Sequence, residues 1–97
     1  MDIYNKLNDL INNHVFFTIK KIRLRRTVFI SLVKELELNL SIPNKPGFKY
    51  TDFKLSTPNG IVINIEEIGN RGTNKVIGID KKEIEILSFD DNFNIIK

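Results

Sequence analysis

Leu55-Ser56-Thr57-Pro58-Asn59-Gly60-Ile61-Val62-Ile63-Asn64-Ile65 reads as two short strands joined by a tight turn. Asn-Gly favours such a turn because both residues tolerate positive φ, and isoleucine at 61, 63 and 65 gives the second strand a β-branched face. The pattern continues downstream. Gly69-Asn70-Arg71-Gly72-Thr73-Asn74 predicts a polar hairpin loop leading into Lys75–Ile79, and Asp80-Lys81-Lys82 predicts a turn into Glu83–Leu87. Upstream, Phe48, Tyr50, Phe53 and Leu55 form a strand with one slip in register, while Phe93–Ile96 is a last short strand or a loose end. Closely spaced strands of this kind predict an antiparallel β-meander resembling the small SH3-like barrels, a likeness of architecture that implies no function.

The first half is built differently, because no Gly or Pro occurs before Pro43. Ile3, Leu7, Leu10, Ile11 and His14 recur at helical spacing, with Asp2 as candidate N-cap and Asn12-Asn13 as a stop. Val15-Phe16-Phe17-Thr18-Ile19 followed by the alternation Ile22-Arg23-Leu24-Arg25 predicts a strand over 15–25. If so, Phe16 and Phe17 point to opposite faces. Residues 28–36 have two readings. Phe29, Leu32, Val33 and Leu36 fit a helix face capped by Thr27, and Val28-Phe29-Ile30 equally fits a long strand. Leu36, Leu38, Leu40 and Ile42 alternate as a strand before the loop Pro43–Gly47. The expectation is a single α+β domain over 1–97: an N-terminal amphipathic helix, with a second helix near 28–36 on one reading, packed on a small, mostly antiparallel sheet.

Composition limits what such a domain does. The 97 residues contain no cysteine, which excludes a disulfide framework, a thiolate metal site and a thiol nucleophile. No cofactor or metal motif is present. No apolar stretch reaches the length of a membrane span, and Asp2 stands where a signal peptide carries positive charge, so the expectation is a cytoplasmic protein away from membranes.

Charge is unevenly distributed. Residues 1–54 carry ten Lys/Arg against five Asp/Glu, while residues 55–97 carry five against seven. The densest feature is Lys20-Lys21-Ile22-Arg23-Leu24-Arg25-Arg26. On a strand, Lys21, Arg23 and Arg25 share one face while Ile22 and Leu24 anchor the other, giving a cationic stripe able to hold phosphate oxygens. Lys45, Lys49 and Lys54 add to it, and Phe48, Tyr50 and Phe53 interleave with them as stacking rings do in single-strand binders. The plain alternatives are a strand face paired with the acidic second half, and rings that simply form the core.

Other motifs are weaker. The Gly69–Lys75 run lacks the Lys-Ser/Thr and the helix of a phosphate-binding P-loop and reads as a polar hairpin loop, although its Arg71 and Lys75 are placed to touch a partner. His14 has no Ser or Asp partner nearby in sequence. Glu66-Glu67 and Asp90-Asp91 are adjacent pairs whose side chains point apart on a strand, so neither makes an acid/base dyad, whereas Glu83 and Glu85 share a face. The reading is a non-catalytic nucleic-acid-binding protein, for DNA or RNA, using Lys20, Lys21, Arg23, Arg25, Arg26, Lys45, Lys49 and Arg71. The alternative is a small inhibitor, immunity or anti-defence factor of a phage or other mobile element, binding an acidic protein surface. Either is compatible with a monomer or with an edge-paired homodimer, which Lys49, Lys75 and Lys81-Lys82 are placed to discourage.

Overall fold

A computed structural model of the chain describes residues 2–14, 18–37, 52–58, 60–80 and 82–96. In chain order these form α1 (Asp2–His14), β1 (Ile19–Leu24), α2 (Arg26–Glu35), β2 (Phe53–Ser56), β3 (Val62–Glu67), β4 (Asn74–Asp80), β5 (Lys82–Phe89) and β6 (Ile95–Ile96). The strands make one mixed sheet in the order β2-β3-β1-β4-β5-β6. Its pairings are antiparallel except β1–β3, which is parallel. The fold is therefore α+β, with a mostly antiparallel sheet, as the sequence suggests.

Both helices lie on one face of the sheet. The 3.6-residue period brings Leu7, Leu10 and Ile11 of α1 and Val28, Phe29 and Leu32 of α2 onto the buried Ile22, Leu24, Leu55, Ile63, Ile65, Val76 and Phe89. Phe29 meets Phe53 edge-on at 5.4 Å, so Phe53 belongs to this core and is no stacking platform. Tyr4 donates its hydroxyl to the Ser56 carbonyl at 2.7 Å, tying α1 to β2. The first turn of α1 is capped from a distance, since the Ile3 and Tyr4 N–H groups each donate to the Glu35 carboxylate at 2.8 Å. Asp2 instead pairs with Lys6.

Four expectations need correction or refinement. Residues 26–35 are helical, which removes the long-strand reading, and Thr27 lies inside the helix. Arg25 is the N-cap without a side-chain cap bond, its own N–H donating to Asn74 Oδ1 at 2.7 Å. The strands of the second half are not one consecutive meander, because β1 is inserted between β3 and β4 in an open sheet. The 69–73 segment is accordingly no hairpin loop; it crosses the end of β1, with Ile68 N–H bonded to Leu24 O and Arg26 N–H to Gly69 O. Lys75 lies on the internal strand β4 and guards no edge. The β2–β3 hairpin is as read, with Gly60 at φ 83° and its N–H bonded to the Thr57 carbonyl.

The expectations for Phe16 and Phe17, the alternation at 38–42, the loop at 43–47, and Lys45, Phe48, Lys49 and Tyr50 lie outside the described residues.

Candidate binding surface

The face of the sheet opposite the helices is where the basic strand displays its charge. Ile22 and Leu24 are fully buried beneath the helices, so Lys21 and Arg23 project from the other side. A bulge between Ile19 and Lys21 adds Lys20 to the same side, a position simple alternation denies it. Lys20 and Lys21 consequently both reach Glu83 of β5, Lys20 by a direct hydrogen bond and Lys21 at 3.9 Å. Register places Lys54 and Asn64 beside Lys21, with Ile77 and then Glu85 on its other flank. The next row reads Glu66, Arg23, Lys75, Ser88. Ile77 is 2% exposed although it lies on the face away from the helices, where its in-register neighbours are the long side chains of Lys21 and Glu85.

Charges on this face are interleaved. Glu66 is shared by Lys21, at 3.3 Å, and Arg23, at 3.6 Å, and Lys75 Nζ donates to Glu85 at 2.8 Å. The Lys20 bond and the nearby positive charges of Lys20 and Lys21 hold the Glu83 carboxyl below its ordinary range. Lys54 is exposed and makes no ion pair with a described residue.

The other cations of the stripe leave this surface. Past Leu24 the strand ends, and Arg25 and Arg26 turn with the chain into α2. Arg25 bonds Asp91 at 2.5 Å and the Asn70 carbonyl at 3.1 Å, while Asp91 also accepts from Asn74 Nδ2 and Thr27 Oγ1. Arg26 bonds Glu67 through Nε and Nη2 at 3.2 and 3.0 Å. Glu67 is fully buried and also accepts the Gly69 N–H. These two arginines pin the 68–73 crossing and the β5–β6 turn onto the start of α2. Arg71 is exposed in the crossing and has no ion pair with a described residue. The predicted site therefore divides: Lys20, Lys21 and Arg23 come together on the open face, Arg25 and Arg26 make internal ion pairs at the start of α2, and Arg71 stands apart.

Glu66, Glu85 and Lys75 complete the surface; the sequence offers Lys75 as a partner contact and the acidic second half as a source of counter-charges, without showing which carboxylates meet β1. Their alternation within β3, β4 and β5 marks an outward face, but only the register shows that they meet β1. The adjacent carboxylates part as expected, Glu66 outward and Glu67 inward. His14 is exposed at the end of α1, in a shallow groove with Lys6, Asp9, Asn92 and Phe93. Among the described residues no three His, Asp or Glu side chains converge as metal ligands, and no helix is long and apolar enough to cross a membrane. Comparison with protein-family models, curated proteins and solved structures finds no match to this chain.

Proposed function

We propose that this chain is a small non-catalytic binding protein that acts by protein–protein contact through the open face of its sheet, as an inhibitor, immunity or anti-defence factor does. One observation carries this reading: Lys20, Lys21 and Arg23 each already hold a carboxylate within 4.0 Å, so the basic strand displays a mosaic of both signs. Polyphosphate binding draws its affinity from cations that release condensed counterions. Here each cation would exchange an internal partner, and Glu66, Glu83 and Glu85 would stand within a Debye length of the incoming phosphates. A mosaic suits a protein partner, because alternating charges set register and exclude wrong surfaces. The nucleic-acid reading keeps as support the partly exposed guanidinium of Arg23 and the exposed Lys54 and Arg71, which make no ion pair with a described residue.

The test is affinity capture from the source cells, followed by binding of the captured, purified protein to variants. Exchanging the signs at two exposed positions of the face, Lys54→Glu with Glu85→Lys, is expected to abolish binding, while Asp9→Lys on α1 leaves it unchanged. Equal binding by both variants, or capture that depends on nucleic acid and vanishes with nuclease, contradicts the proposal.

A further inference from the structure

We infer that Arg23 is the anchor of this surface and that the partner segment it receives presents a single Asp or Glu carboxylate to its guanidinium. The inference rests on the reading of the open face as a protein-binding surface.

Arg23 occupies the middle of the sheet, with β3 on one side and β4 on the other. Its neighbours in register are Glu66 and Lys75. Arg25, through its Nη atoms, and Arg26 bond internal acceptors, and Arg25 Nε is buried without a partner, whereas Arg23 makes no hydrogen bond to a described residue at all. Its Nε is inaccessible and unpartnered, 3.6 Å from Glu66 Oε1 and so beyond hydrogen-bond distance. Glu66 stands closer to Lys21, at 3.3 Å, and Lys75 is committed to Glu85. The centre of the face thus holds an arginine fork whose nearest carboxylate is shared, and its side chain remains 32% exposed.

A planar guanidinium matches a carboxylate through two parallel hydrogen bonds. One carboxylate fits at Arg23 between its cationic neighbours Lys21 and Lys75. A nucleic-acid strand would carry its next phosphates onto Glu66, Glu83 and Glu85. Charge complementarity therefore selects a protein segment that places a single Asp or Glu at this point. Arginines presented at the centre of an interface are also the residues that most often dominate binding energy.

The test follows the Arg23 Nε–H resonance of the full-length ¹⁵N-labelled protein during titration with an end-capped, otherwise uncharged peptide carrying one central Glu, and separately with a dT hexanucleotide. The expected result is a saturable shift of Arg23 Nε–H and of the Lys21–Leu24 amides with the peptide, at lower concentration than with the oligonucleotide. Arg23→Lys keeps the charge and loses the fork, and is expected to weaken peptide binding about tenfold with the remaining amide spectrum unchanged. Arg23→Gln provides a second variant, with the same expectation. Peptide shifts confined to other residues, tighter oligonucleotide binding, or undiminished binding by both variants would overturn the inference. If Lys54→Glu with Glu85→Lys abolishes capture of the protein partner while Arg23→Lys does not, the anchor fails and the open-face reading stands. If neither affects capture, both fail.

Discussion

Glu67 shows how a single side chain decides a local structure. Its carboxylate is fully buried, paired with Arg26 and bonded to the Gly69 N–H, so it fastens the crossing over β1 to the first residue of α2. Taking away one member of a buried pair leaves an uncompensated charge, and Arg26→Met is expected to cost about 3 kcal/mol or more. Adding Glu67→Gln should recover part of that loss. Urea unfolding of the single and double variants checks both statements, and a loss below about 1 kcal/mol for Arg26→Met would mean that the pair is not the fastener. Gly78 is a second such position, for packing and not for conformational freedom. A Cβ there would overlap Ile86 Cδ1 and lie 3.0 Å from the Thr18 carbonyl oxygen. Gly78→Ala is expected to cost about 1–3 kcal/mol, with partial recovery in combination with Ile86→Val, measured by thermal melting.

Between elements, the caps come from far along the chain. Glu35 closes α2 and holds the first turn of α1 through the Ile3 and Tyr4 N–H groups. Burial pushes its carboxyl upward, but the hydrogen bonds from Tyr4 and Ile3 outweigh this and leave it below the ordinary range. The sign follows from that direction. The ionised form is favoured in the fold, so its stabilisation is complete above the unfolded pKa and is lost as pH falls through the lower folded value. Glu35→Gln is expected to destabilise by about 1 kcal/mol at neutral pH, the usual worth of an N-terminal cap. The difference from wild type should disappear below the folded pKa. Urea midpoints across the acid range test this, and a pH-independent difference would contradict it. Long-range caps also explain what sequence patterns missed. The nearest local side-chain cap is Thr27, which points to a start there, whereas Asn74 and Asp91 supply the polar contacts at the true start of α2. The end of α2 carries no Gly signal, since Glu37 itself takes the left-handed position at φ 54°. By contrast, α1 was legible because Leu7, Leu10 and Ile11 bury the face that their spacing marks out.

Across the whole molecule, local signals specified the class of fold and left its topology open. Hairpin chemistry at Thr57–Ile61 reads correctly because both of its strands are neighbours in sequence and in the sheet. The Gly69–Thr73 run has the same composition as a hairpin loop, yet it spans β1, and nothing local distinguishes a tight turn from a crossing. That insertion determines the chemistry of the surface. It surrounds the basic strand with the acidic positions of β3 and β5, so the stripe legible in the sequence becomes a mosaic in the fold. Five cations close together in sequence divide between an open face and two structural clamps because the strand ends at Leu24.

The most direct test of this account is the salt dependence of nucleic-acid binding. Labelled single- and double-stranded DNA and RNA would be titrated with the protein by fluorescence anisotropy at several salt concentrations. The internal pairing of Lys20, Lys21 and Arg23 predicts no saturable binding at physiological salt and no steep salt slope at lower salt. Tight binding whose logarithm falls linearly with the logarithm of salt, with a slope reduced by Arg23→Ala, would contradict it and make the open face a phosphate-binding surface.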